Sequence, residues 1–149
     1  MASGNKCIES GLKCFKLIFE KKNWFHAKAF CESIDDEDDY DGYELGIIKN
    51  EEEHELVSTF GSGHWYEHSW IGIKRYADGE FIYSDDDEFV EYVDWHEGEP
   101  SGTHAGVAED CVQLWWNNKY NDAHCYDEKP FVCSKVKGMF IISYKVNPE

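Results

Sequence analysis

Basic residues are scarce in this chain. Fourteen Lys and Arg stand against 31 Asp and Glu, a formal net charge of −17. That balance argues against nucleic acid and anionic membrane surfaces as partners, since both would repel it, and favours cations, mineral surfaces or basic proteins. Long hydrophobic runs are missing too. No stretch approaches the roughly 20 apolar residues of a membrane span, so membrane insertion is not expected. The chain opens on the polar Met1-Ala2-Ser3-Gly4, so a leader segment is not expected here, and if the protein is secreted this is expected to be a mature form with an added initiator Met. There is no Asn-x-Ser/Thr sequon, no Cys-x-x-Cys pair, no Gly-x-Ser-x-Gly and no phosphate-binding glycine loop. His54-Glu55 lacks the second His at Ser58 that a zinc-protease motif needs. His64 and His68 have a metal spacing only in a helix, which is not expected there. Glu37-x-Asp39-x-Asp41-Gly42 begins like a calcium loop, but its twelfth position is Ile48 instead of Glu, so a flexible acidic loop is expected. No carboxylate pair is singled out for acid–base work, and an enzyme is not expected.

What is present is one domain's worth of chain, 149 residues with 16% aromatics to build a core. Six cysteines, at positions 7, 14, 31, 111, 125 and 133, are expected to be disulfide-bonded, and many pairings are open by arithmetic alone. Residues 7–20 alternate weakly and read as a strand or hairpin. In Asn23 to Ile34, Trp24, Ala27, Phe30, Cys31 and Ile34 recur at spacings of three and four, a helix. Asn50 reads as the N-cap of a second helix, with Glu53 completing a capping box; Leu56, Val57 and Phe60 supply its apolar face and Gly61 ends it. Beyond Ser69 the pattern turns to strands at Trp70–Ile73, Phe81–Tyr83, Cys111–Trp116 and Phe131–Ser134, with a polar, loop-rich stretch from Ser84 to Asp110. Two helices followed by strands predict an α+β fold. An N-terminal extension (1–6), one domain (7–137) and a strand-like tail (138–149) are expected.

The segment from Glu99 to Cys133 carries the chemistry. It gathers Glu99-Pro100-Ser101, Glu109-Asp110-Cys111 and Asn121-Asp122-Ala123-His124-Cys125. Calcium takes roughly six to eight oxygen ligands, mixing carboxylates with amide carbonyls. Glu99, Glu109, Asn121 and Asp122 supply such oxygens, and three carboxylates suit one divalent ion. A shell left short of ligands can be completed by ligand hydroxyls, which points to calcium-dependent binding of a polyol such as a sugar.

These residues fall into an ordered set of motifs: Trp24-x-x-Ala27-x-x-x-Cys31, Trp70-Ile71-Gly72-Ile73, Trp95 ahead of Gly98-Glu99-Pro100-Ser101, Glu109-Asp110-Cys111, Tyr120-Asn121-Asp122 and Phe131-Val132-Cys133. From Cys7 to Ser134 the chain resembles a C-type lectin-like domain of the long form. The resemblance implies two helices with short antiparallel sheets and a long calcium-binding loop region, stapled by Cys31–Cys133, Cys111–Cys125 and, at the N-terminal hairpin, Cys7–Cys14. It implies Ca2+ as cofactor, held by Glu99, Ser101, Glu109, Asn121 and Asp122, with the same residues contacting the sugar and with Pro100 cis. A second calcium would use Glu109, Asp110 and acids of the Arg75–Asp78 turn, but Arg75 lies where an acid would be needed. Ser101 replaces the family's Asn, and a hydroxyl is shorter and has a single donor; Tyr120 replaces the usual Trp, a milder change.

The order of an acceptor at Glu99 and a donor at Ser101 is the order of Glu-Pro-Asn lectins, so mannose-type sugars are expected over galactose-type. Trp115 or Trp116, if exposed, can stack on a sugar face; packing in the core is the alternative. The resemblance further implies a secreted, extracellular protein with innate immunity as its setting. The alternating tail from Met139 to Val146 offers an edge for a homodimer. Metal release is expected on acidification, beginning at about pH 5–6, with His124 able to sharpen it. The competing expectation is a lectin-like interaction or structural module that uses its acidic surface on mineral, ice or protein without binding sugar.

Overall fold

A computed structural model describes residues 7–34, 42–61 and 68–136. Most of the acidic insert, His64 and the tail lie outside the described residues. Chain order runs β1 (Ile8–Ser10), β2 (Lys13–Lys22), α1 (Trp24–Glu32), β3 (Glu44–Leu45), α2 (Glu51–Gly61), β4 (Ser69–Arg75), β5 (Phe81–Tyr83), β6 (Thr103–His104), β7 (Val107–Ala108), β8 (Cys111–Leu114), a 3-10 turn (Trp116–Asn118), β9 (Tyr120–Ala123) and β10 (Lys129–Val136). This is the α+β architecture expected of the sequence.

The expected N-terminal hairpin is β1–β2, with Glu9 opposite Cys14. β2 pairs antiparallel with β10, Val132 facing Leu17 and Ser134 facing Phe15. From there the sheet runs β1-β2-β10-β4-β8-β9, with β3 attached to β10 and β5 to β4; β6 and β7 form a separate hairpin inside the long loop. Both central turn residues of that hairpin have positive φ, Ala105 at 54° and Gly106 at 81°, as a tight two-residue hairpin turn requires.

α1 starts where Asn23 Oδ1 accepts the His26 N–H at 2.8 Å, an N-cap that satisfies one of the first-turn donors. Trp24, Ala27 and Cys31 form its buried stripe, and Trp24 Nε1 donates to the Ile71 carbonyl at 2.9 Å. α2 is capped by Asn50, whose Oδ1 accepts from the Glu53 N–H at 2.8 Å. The reciprocal half of the box goes elsewhere: Glu53 Oε1 accepts from the Lys49 N–H at 2.8 Å and from Lys13 Nζ at 3.1 Å. Lys13 draws the carboxylate toward β2, so the cap also ties the helix to the sheet. Val57 is buried as expected, but so are Glu53 and His54.

β8 ends at Leu114, two residues short of the expected strand, because Asn117 and Asn118 take positive φ (58° and 60°) and reverse the chain into β9. The main core gathers Ile47, Ile71, Ile73, Val112, Leu114 and Tyr120 on one side of the sheet. A second apolar cluster joins α1 to Trp70, Phe131 and the disulfides. Gly72 lies between them, and a Cβ there would collide with the Leu45 carbonyl. The cysteines pair as Cys7–Cys14, Cys31–Cys133 and Cys111–Cys125.

Candidate functional site

The long loop is threaded back onto β9 by its own backbone. Tyr120 donates its N–H to the Asp94 carbonyl at 2.7 Å, and its carbonyl accepts from the His96 N–H at 2.8 Å. The Glu99 N–H then donates to the His96 carbonyl at 2.9 Å, closing a turn, and the Glu99–Pro100 peptide is cis. β8 and β9 pair with Val112 opposite Asp122 and Gln113 opposite Asn121. Glu109 sits just ahead of β8, its N–H donating to the Gly102 carbonyl at 2.9 Å. Carboxylate oxygens of Glu99, Glu109 and Asp122 thereby lie within 4.8 Å of one another.

Asp122 is completely buried, Asn121 is 7% exposed and Glu109 9%. Asp122 Oδ1 accepts the Ser101 N–H at 3.0 Å, and its Oδ2 accepts the Gly102 N–H and Arg75 Nη2, both at 2.7 Å. Ser101 Oγ donates to Glu109 Oε1 at 2.6 Å. Two buried acceptors on these segments have no donor among the described residues: Glu99 Oε1 at the turn and Asn121 Oδ1 on β9, next in sequence to Asp122. The Glu99 carboxyl is pushed above its ordinary value by partial burial, by hydrogen bonding to Asp122, and by the charges of Asp122 and Glu109; Ser101 opposes the shift.

All donors in this set are oxygens, the ligand chemistry of a hard cation. A buried acceptor without a donor is costly, and a cation held among the three carboxylates would satisfy Glu99 Oε1. The residues therefore fit calcium. Glu99, Ser101, Glu109 and Asp122 are brought together, with Ser101 turned toward the carboxylates, and Asn121 precedes Asp122 on β9.

Arg75 lies among the acids expected of a second cation site. Arg75 Nε donates to Asp110 Oδ1 at 3.2 Å and Nη2 to the Glu109 carbonyl at 3.1 Å, in addition to Asp122. His124 Nε2 lies 3.9 Å from Glu109 Oε2 and Nδ1 4.0 Å from Asp127 Oδ2. The two tryptophans part company. Trp115 packs on the His96 ring at 5.1 Å. Trp116 lines a cavity of about 480 Å³ with Phe19, Lys21, His68 and Lys129, none of which belongs to the cluster. The exposed ring near the site is Tyr126, which packs on Phe25 at 5.5 Å and borders a cavity with Asp110 and His124.

Two features escaped the sequence reading. β9 is short and polar, with no alternation to mark it. Arg75 registered only as the absence of an acid, although it is the sole arginine of an acidic chain, a signal that it has a fixed partner.

Residues 20–135 match the family model described as the lectin C-type domain. The human low affinity immunoglobulin epsilon Fc receptor is 33% identical over 89% of this chain, which spans 39% of that protein's length. A lectin of Pleurodeles waltl is 30% identical over 80% of this chain and 67% of its own. Among solved structures, the cow carbohydrate-recognition domain of CD23, determined in the presence of a GlcNAc2Man3 oligosaccharide, superposes with a TM-score of 0.72 at 29% identity, covering 89% of this chain and 94% of that one. With this fold, these disulfides and this extent of match, the chain belongs to the C-type lectin domain family.

Proposed function

We propose that this protein is a calcium-dependent lectin that binds mannose-type sugars through Glu99, Ser101, Glu109, Asn121 and Asp122. Family membership supports carbohydrate binding in general. The single observation that carries the calcium reading is the cluster of the Glu99, Glu109 and Asp122 carboxylates, with Glu99 Oε1 buried and donorless. Bound calcium would supply a divalent charge and open coordination positions for two neighbouring sugar hydroxyls. The chain's own groups set the orientation: Glu99 accepts from one hydroxyl, and the Ser101 hydroxyl, freed from Glu109, donates to another. That order supports mannose-type sugars, as does the oligosaccharide present with the cow relative. The three disulfides suit an extracellular setting, and innate immunity is the proposed context. Among the described residues no helix is long and apolar enough to cross a membrane. Homodimerisation through the tail remains part of the proposal, tested by sizing the full chain against one ending at Lys137.

The deciding experiment is retention on mannose–agarose in calcium with release by chelator, alongside a melting curve. A ligand that binds only the native state adds about 2.7 kcal/mol at 100 times its dissociation constant, so millimolar calcium should raise the melting temperature by several degrees. No retention and no shift would sink the calcium reading. A second reading, an interaction module acting through its acidic surface, draws on the charge of −17; it requires binding to a basic or mineral partner that chelator leaves unchanged.

A further inference from the structure

We propose that Arg75 is a built-in cation that locks the long loop onto β9 in the metal-free protein, so that the binding site is formed before any metal arrives. Only the use made of the preformed loop rests on the calcium reading; the lock itself stands on geometry. One side chain spans three segments. From the end of β4, its Nη2 reaches Asp122 Oδ2 on β9 at 2.7 Å and the Glu109 carbonyl at 3.1 Å, while Nε reaches Asp110 Oδ1 at 3.2 Å. The Arg75 main chain is anchored beside it, its N–H donating to the Asp110 carbonyl at 2.7 Å. The guanidinium lies over the Phe81 ring, 4.5 Å from its centre, and Phe81 packs on Trp95 at the loop's entrance, 5.0 Å between rings.

The chemistry explains why an arginine is needed. Asp122 is wholly buried, and a buried carboxylate persists only when paired and hydrogen-bonded. Arg75 pairs it, which leaves the same carboxylate able to receive the Ser101 and Gly102 N–H groups at 3.0 and 2.7 Å. Those two bonds attach the loop to β9 a second time, beyond the backbone bonds of Asp94 and His96 to Tyr120. Lysine brings one compact ammonium, whereas the planar fork of arginine can hold a carboxylate, a carbonyl and a second carboxylate at once. The chain has 13 lysines and this one arginine, and the arginine stands where a fork is required.

The site therefore divides into two halves. The Asp122 half is satisfied by protein donors; the Glu99 and Asn121 half retains donorless oxygens. Metal is needed by the second half alone. Substitutions in the two halves should separate: Arg75 governs order of the metal-free loop, and Glu99 governs the response to calcium.

The test is amide hydrogen exchange of the full chain in chelator. Wild type should protect Ser101, Gly102 and Glu109. In Arg75→Met these amides should exchange about 10- to 100-fold faster, the range expected for losing hydrogen bonds to a charged group, and should accelerate more than Val132 and Cys133 in β10. Arg75→Lys should fall between the two, and it carries the test if Arg75→Met does not fold. Glu99→Gln should keep wild-type protection in chelator while losing the calcium-induced melting shift. Unprotected wild-type amides in chelator, equal acceleration of loop and β10 amides, or Arg75→Lys matching wild type would each overturn the proposal. Because every exchange measurement is made without metal, a wild type that ignores calcium would defeat the proposed function and leave this result standing.

Discussion

Ser101 and Asp122 show how differently two neighbouring ligand candidates should respond to mutation. Ser101 Oγ is a single donor spent on Glu109 Oε1 at 2.6 Å. Ser101→Asn restores an amide that can offer oxygen to the metal and N–H to a sugar. One added hydrogen bond contributes about 0.5–1.5 kcal/mol, so mannose affinity should rise about two- to tenfold by titration calorimetry; unchanged or weaker binding would place Ser101 outside the sugar site. Asp122→Ala is a harsher change than a ligand deletion. It removes the buried partner of Arg75, which keeps Asp110 and the Glu109 carbonyl, and leaves two backbone N–H groups without their acceptor; breaking a buried pair costs about 3–5 kcal/mol. Denaturant unfolding in chelator should show that loss; a stability within 1 kcal/mol of wild type (about the median worth of an exposed pair) would mean Asp122 is not the anchor described. Glu99 links the site to pH. Its folded-state pKa is raised, first by burial, above its ordinary value of 4.5. A raised carboxyl pKa destabilises the metal-free fold above that pKa, and the penalty fades as pH falls through it. The metal requires the ionised form, so protons oppose it over the same range. The melting-temperature gap between calcium and chelator should therefore shrink from about pH 7 to about pH 5, with no gap at either pH in Glu99→Gln; a wild-type gap constant with pH would count against carboxylate ligation.

At the scale of elements, β9 matters most to the site. It is four residues long, yet it contributes Asn121 and Asp122 and receives the returning loop at Tyr120. Nothing in Tyr-Asn-Asp-Ala marks a strand, because all four side chains are buried and a polar pair in the interior breaks the alternation that reveals a half-exposed strand. Pairing with β8 and closure by Cys111–Cys125 supply the strand's stability. The helices were easier to read. α1 shows its buried stripe in the spacing of Trp24, Ala27 and Cys31, and α2 announces its start at Asn50. The capping box was half right, because the competing charge of Lys13 lies 40 positions away. Asn50→Ala removes the acceptor for the Glu53 N–H and should cost about 1 kcal/mol, lowering the melting temperature by about 2–4 °C; no change would mean that Lys13 and Glu53 alone hold the helix start.

For the whole molecule, the Cys31–Cys133 bridge joins α1 to the central strand β10 across a sequence separation of 102. It ties the second apolar cluster together with Trp24, Trp70 and Phe131. Replacing both cysteines with alanine should cost about 2–5 kcal/mol, read as an earlier midpoint in denaturant with intact Cys111–Cys125. A midpoint matching wild type would show that the sheet and core alone restrain the chain. Neither cysteine is among the ligand candidates, so the doubly substituted protein should keep its calcium response while folded.

The sequence by itself determined the class of this protein. The acidic balance, the six cysteines, the helical spacing of Trp24 to Cys31 and the order of Glu99-Pro100-Ser101, Glu109 and Asn121-Asp122 are local patterns, legible wherever they occur. The tertiary structure decided how the site is wired. Which oxygen receives a donor, and which does not, depends on groups far apart in the chain: Arg75 and Asp122 are 47 residues apart and Ser101 and Asp122 are 21 apart. A string of residues records that an arginine is present. Only folding brings its fork to a buried carboxylate, because hydrogen bonding and the cost of an unpaired buried charge act across space and not along the chain.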